Sequence, residues 1–132
     1  MPQHGLISLS SRYPARDTVQ RLLAALAKRN MMVFARIDHA AGAASAGLEL
    51  RSTEVVIFGN PKGGTALMQD RQSAGIDLPL KALVWQDADG KVWLSYNEPA
   101  WIAQRHGLGS ASAAAVEAMA KALTAIAAEV TT

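Results

Sequence analysis

The apolar residues of this chain switch between a period of two and a period of 3.6, and the switches divide it into elements. GLISLSS at 5–11 alternates weakly, is bounded by polar residues and Pro14, and reads as a first strand. Val19, Leu22, Leu23 and Leu26 then fall at i, i+3, i+4 and i+7, with Arg21, Lys28 and Arg29 elsewhere on the wheel. That spacing predicts an amphipathic helix over about 15–29. Pro14 stands where a first-turn proline is tolerated, and Asn30 can adopt the left-handed conformation that ends a helix.

MMVFARID at 31–38 returns to period two, placing Val33, Ala35 and Ile37 on one side of a strand and Phe34, Arg36 and Asp38 on the other. HAAGAASAG at 39–47 fits a short helix or a loose loop, its two glycines weakening the helix; we read a short helix. EVVIFG at 54–59 is β-branched and aromatic and stops at Asn60-Pro61, a strand entering a turn, with a helix beginning near Pro61. The strongest β signal spans 78–97, where LPLKALVWQ and KVWLSYN flank the turn DADG as a hairpin. Glu98 to His106 is expected to be helical until Gly107 and Gly109 break it, and Val116, Met119, Leu123, Ile126 and Val130 mark a last helix from Ser112.

Strands so close together, without long crossovers between them, predict an α+β fold: an antiparallel sheet of about five strands with two long helices on one face. A length of 132 residues supports one substantial core, so residues 1–132 are expected to form a single domain. Half the residues are hydrophobic and 18% charged, the balance of a globular protein. The absence of cysteine removes disulfides, thiolate metal sites and thiol nucleophiles. The opening Met1-Pro2-Gln3-His4-Gly5 lacks the parts of a secretory signal and no run reaches membrane-spanning length, so a soluble, cytoplasmic chain without a membrane partner is expected.

Charge changes little. The net value is +2 and the pI about 9.2, so nucleic acid is not implied. Arg12, Arg16, Arg21, Lys28, Arg29 and Arg36 precede position 37 against the single acid Asp17. That asymmetry fits a phosphate-binding stripe or, more commonly, a solvated helix face.

The hairpin carries the argument for self-association. With DADG as a three-residue loop and Gly90 left-handed, Asp87 pairs with Lys91 and Trp85 lies opposite Trp93. Both indoles and Leu83 then share one face, while Leu80, Ala82, Val84, Val92, Leu94 and Tyr96 occupy the other. The two long helices cover one face; the other exposes apolar area on the order of a few hundred Å², enough to mark a contact surface. A two-fold dimer through Leu83, Trp85 and Trp93 is expected. The alternatives are that the short helices or the alanine-rich segment of the same chain cover the indoles, or that a two-residue turn over Asp89-Gly90 sends them to opposite faces.

Candidate chemistry is sparse. GNPKGGT at 59–65 joins a strand to a helix, where helix-opening N–H groups and Lys62 could cradle a small anionic ligand. It lacks the lysine after the last glycine of a phosphate loop, and a tight turn with Thr65 as a cap explains the same residues. Asp38 and His39 could do acid–base work, but neighbours on a strand point apart. His4 and His106 look isolated and no metal-ligand spacing exists, so neither metal nor cofactor is expected. No GxSxG elbow occurs, and Ser110 and Ser112 read as helix caps. Lys81, Tyr96, Asn97 and Arg105 are the polar groups in or beside the hairpin, Tyr96 fitting the core.

GNPKGGTALMQ at 59–69 and DLPLKALVWQDADGKVWLSYNEP at 77–99, with FARIDHAAGA at 34–43 and IAQRHGL at 102–108, resemble the bacterial and archaeal domain-of-unknown-function family numbered 302. The resemblance implies a curved antiparallel sheet of the TATA-binding-protein-like class with helices on one side, often dimeric, and no established activity. It singles out Asp38, His39, Asn60, Lys62, Thr65, Leu78, Pro79, Lys81 and Tyr96 as places to look. The expectation is a dimeric ligand-binding or interaction module; the alternative is a small enzyme with a polar cleft using Asp38, His39, Lys62 or Lys81.

Overall fold

Each apolar run becomes an element close to where its period begins and ends. A computed structural model describes residues 3–132, so Met1 and Pro2 of the opening segment lie outside the described residues. The strands are β1 (Leu6–Ser11), β2 (Met32–Asp38), β3 (Thr53–Gly59), β4 (Leu80–Gln86) and β5 (Val92–Asn97). The helices are α1 (Ala15–Lys28), α2 (His39–Ser45), α3 (Pro61–Asp70), α4 (Pro99–His106) and α5 (Ala113–Thr131). A 3₁₀ turn over Gln72–Ile76, which the hydrophobic pattern does not reveal, links α3 to β4.

The sheet runs β1–β5–β4–β3–β2 with every neighbouring pair antiparallel. The first two strands therefore occupy opposite edges, and α1 crosses the sheet between them, touching β2, β4 and β5. Its stripe of Val19, Leu22, Ala25 and Leu26 meets Val56, Phe58, Val84 and Leu94 from the sheet and Leu123, Ile126 and Val130 from α5 in one continuous core. Burying Leu22, Leu26 and Phe58 completely contributes roughly 1.5–3 kcal/mol for each side chain. This is the expected α+β arrangement, with α1 and α5 on the same face of five antiparallel strands.

The helix ends follow local chemistry. Asn30 is left-handed, with φ of 57°, and the Met31 N–H reaches back to the Leu26 carbonyl at 3.0 Å, closing α1. Gly107, at φ of 64°, closes α4 the same way. The last turn of α5 is held by Arg21, whose Nε and Nη2 donate to the carbonyls of Val130 and Glu129 at 2.9 and 2.8 Å. A guanidinium is the right partner there, since the carbonyls ending a helix lack N–H donors and carry partial negative charge.

Three local expectations need correction. The register of β2 slips between Val33 and Ala35, so Val33 pairs with inward-facing Phe58 while Ala35 pairs with Ile57; Val33 is out of phase with Ala35 and Ile37. An extra residue in an edge strand breaks the period-two rule. Thr65 does not cap α3: Asn60 does, its Oδ1 accepting the Lys62 N–H at 3.0 Å with Pro61 next in the helix. Ser112 precedes α5 without a side-chain cap, and its hydroxyl instead donates to Asp70 Oδ2 at 2.7 Å.

Candidate functional site

The hairpin turn has the geometry that pairs the tryptophans. Gly90 has φ of 84°, its N–H bonds the Asp87 carbonyl at 3.0 Å, and Asp87 N–H bonds the Lys91 carbonyl at 2.8 Å. Trp85 and Trp93 are cross-strand partners, their ring centroids 6.1 Å apart and their planes 23° from parallel. They lie on the face opposite the α1–α5 layer and share it, so the alternative that sends them to opposite faces does not hold.

Both indole N–H groups are satisfied within the sheet. Trp85 Nε1 donates to Ser95 Oγ at 2.9 Å, which in turn shares a 2.7 Å hydrogen bond with Ser8 Oγ. Trp93 Nε1 donates to Asp87 Oδ2 at 2.9 Å, while Asp87 Oδ1 accepts the N–H groups of Asp89 and Lys91. The Trp93 indole, foremost among these donors, holds the Asp87 carboxyl below its ordinary range. With their donors occupied, the indoles present mainly apolar surface outward. Beside them a shallow concavity of about 540 Å³ is lined by Leu6, Ile37, Val55, Ile57 and Leu83, with His39 and Lys81 also bordering it.

A second concavity, about 360 Å³, lies under the start of α3. Met31, Phe34, Met68, Leu78, Pro79 and Met119 line it together with Gly63 and Gly64. Asn60 and Thr65 border it, while Lys62 is exposed on the same helical turn. The GNPKGGT segment is thus a capped helix start above an apolar hollow.

The other candidate residues scatter. Asp38 caps α2 by accepting the Ala41 N–H at 2.9 Å, and it borders a polar hollow with Arg16, Arg36 and Glu54. Arg36 and Glu54 pair there at 2.7 Å. Lys81 Nζ donates to the carbonyls of Pro79 and Asp77 at 3.1 and 3.4 Å. Tyr96 is buried in the core, as its place in the hairpin implied, and also borders the hollow that His39 and Lys81 border. Asp38, His39, Lys62 and Lys81 do not converge in one cleft: only His39 and Lys81 border the same hollow. The early basic residues are dispersed as well, Lys28 and Arg29 holding Glu129 at 3.1 Å each and lowering its carboxyl, with Lys28 first.

His106 is not isolated, contrary to the sequence reading. Its Nε2 lies 2.6 Å from Asp77 Oδ2 and its Nδ1 2.9 Å from Ser73 Oγ, and Arg105 Nη1 reaches both Asp77 oxygens at 3.0 and 3.1 Å. Serine, imidazole and carboxylate in a row are the components of acyl-transfer chemistry, but Ser73 sits on an exposed 3₁₀ turn and borders neither apolar hollow. The group straps that turn to α4. No spacing rule could have found it, because Asp77 and His106 are 29 residues apart in sequence. Asp70 makes a comparable strap, accepting from Ser112 Oγ and the Gly109 N–H, with the Ser112 hydroxyl foremost in lowering its carboxyl.

The sequence profile of the family described as "Domain of unknown function DUF302" matches residues 7–126, nearly the whole chain. The chain belongs to the DUF302 family. Its fold agrees with that of a solved family member, the uncharacterized conserved protein DUF302 from Bacillus stearothermophilus, at a TM-score of 0.85. That likeness covers 96% of this chain and 98% of the other at 16% identity. DUF302 sequence also occurs inside longer proteins. The chain is 52% identical over 115 residues to a protein of Brucella suis named "Fluoride-specific ion channel FluC 1", covering 87% of this chain and 45% of that protein. A Brucella melitensis protein named "Fluoride-specific ion channel FluC 2" matches equally, with 43% of its length covered. The chain spans under half the length of these relatives. Among the described residues, no helix is long and apolar enough to cross a membrane.

Proposed function

We propose that this DUF302 chain is a single-domain, non-catalytic interaction and ligand-binding module that works as a homodimer. The observation that carries the reading is the stacked Trp85–Trp93 pair on the face of the sheet opposite α1 and α5, its N–H groups already bonded and Leu83 beside it. An apolar face of this kind gains free energy by meeting another, and a two-fold axis lets one patch cover itself. That Asp38, His39, Lys62 and Lys81 share no single cleft, with only His39 and Lys81 bordering the same hollow, supports a non-catalytic role over the small-enzyme alternative. Sedimentation equilibrium of wild type, Trp85→Ser and Trp93→Ser tests the dimer. Dimeric wild type and monomeric, folded variants are expected; a wild type that stays monomeric at high concentration overturns the proposal.

A second reading rests on the Brucella relatives. A channel must cross the bilayer as helices or a closed barrel. Among the described residues, the segment those relatives share with this chain holds no spanning helix, which supports its being an appended module in proteins named as fluoride channels. On that reading this chain works beside a fluoride channel. Fluoride efflux from vesicles carrying the Brucella suis protein, compared with a version lacking the matched segment, should change in rate or in regulation. Identical efflux under all conditions would remove this reading.

A further inference from the structure

Two adjacent glycines inside α3 are poor helix formers, and their placement points to space being kept open. Gly63 and Gly64 both border the hollow beneath that helix. A Cβ at Gly63 would lie 3.2 Å from Met119 Cε, and one at Gly64 would reach Leu78 Cδ1 and Met68 Cε at 4.0 Å. Any larger side chain at either position would fill the cavity that Met31, Phe34, Met68 and Met119 surround.

The cavity's chemistry restricts what fits. Its polar side chains are Asn60, already engaged as a cap, and Thr65, exposed in the helix; no carboxylate borders it. Three thioethers make an adaptable apolar wall, since unbranched methionine reshapes around a flexible guest. At about 360 Å³ the cavity lies near the lower end of small-molecule sites, which run from roughly 300 to 1,000 Å³, and holds a chain of about eight to ten carbons. The charge beside it is positive: Lys62 is exposed on the turn that forms the rim, and the first turn of α3 contains no acid.

We propose that this cavity binds a medium-chain fatty carboxylate, with the tail among Met31, Phe34, Met68 and Met119 and the head at the first turn of α3, where Lys62 is exposed to solvent. The inference deepens the ligand-binding half of the proposed function and does not require the dimer. Apolar volume selects the tail by burial, and the Lys62 ammonium selects an anionic head.

The test is a titration of protein labelled with ¹³C at the methionine methyl groups, using decanoate below its micelle-forming concentration, decanol and butyrate. Met31, Met68 and Met119 line the cavity, whereas Met32 is 54% exposed on β2 and serves as an internal reference. Saturable decanoate shifts are expected at the three lining methyls, with butyrate at least tenfold weaker. Lys62→Ala should weaken decanoate about three- to tenfold, towards the affinity of decanol. Gly64→Leu should abolish the shifts, and Gly63→Ala should reduce them without lowering thermal stability.

No shift in wild type, shifts that follow Met32 or fail to saturate, or butyrate matching decanoate would each overturn the proposal. The wild-type titration decides even where a glycine variant does not fold. Sedimentation of the same samples separates the two proposals: lining-methyl shifts in a monomer remove the dimer and leave the carboxylate site standing.

Discussion

Replacing Arg21 by alanine removes a group that ties the first helix to the end of the last. Its two hydrogen bonds, at 2.9 and 2.8 Å, go to terminal carbonyls of α5, and its guanidinium carbon lies 4.1 Å from the Tyr13 ring centroid. A hydrogen bond to a charged group contributes about 1.5–3 kcal/mol, and a cation over an exposed ring about 0.5–1 kcal/mol. These contributions overlap, and Arg21 is only half-buried, so a total loss of about 2–3 kcal/mol is expected. That corresponds to a roughly 30- to 150-fold fall in the folded-to-unfolded ratio. Urea unfolding followed by tryptophan fluorescence gives the value, with an unchanged slope required for comparison. Arg21→Lys should fall between, because an ammonium keeps the charge and loses the planar fork. Lys28→Ala is the control: its side chain is 71% exposed and its pair with Glu129 should contribute no measurable stability. An Arg21→Ala protein as stable as that control would refute the reasoning and leave α5 held mainly by its buried side chains, Leu123, Ile126 and Val130 among them.

Two further outcomes follow from the same geometry. Asp70 and Asp87 have carboxyls held below their ordinary range by hydrogen bonds from Ser112 and Trp93 respectively, so their stabilisation is complete above the ordinary carboxylate pKa and is lost as pH falls through the depressed values. Thermal melts should therefore decline in acid, and Asp70→Asn should flatten part of the decline; an unchanged pH profile in that variant would count against the strap. Gly5→Ala should destabilise by about 2–4 kcal/mol, since a Cβ there would fall among the ring and Cβ carbons of Trp101 and the residue has φ of 73°. Calorimetry showing a melting temperature within a degree of wild type would mean that Trp101 moves aside freely.

The elements and the hairpin were legible because both depend on neighbours in sequence. The Asn30 stop of α1 is one such case, and the stacking of Trp85 on Trp93 follows from a three-residue turn and strict alternation. The GNPKGGT segment was legible as a helix start and misread in its cap, because Asn60 and Thr65 are both capping residue types and only the backbone path chooses between them. The Val33 slip escaped for a related reason, since a bulge leaves no composition signal in a short edge strand.

By itself the sequence determined periods, turns and the partition of apolar side chains between two faces of the hairpin, all set by backbone geometry within a few residues. Only the tertiary structure decided that β1 and β2 take opposite edges, that His106 finds Asp77 and Ser73, and that three methionines from separate segments enclose one hollow. Those outcomes depend on contacts between residues far apart in the chain, which form when elements dock and leave no local pattern behind.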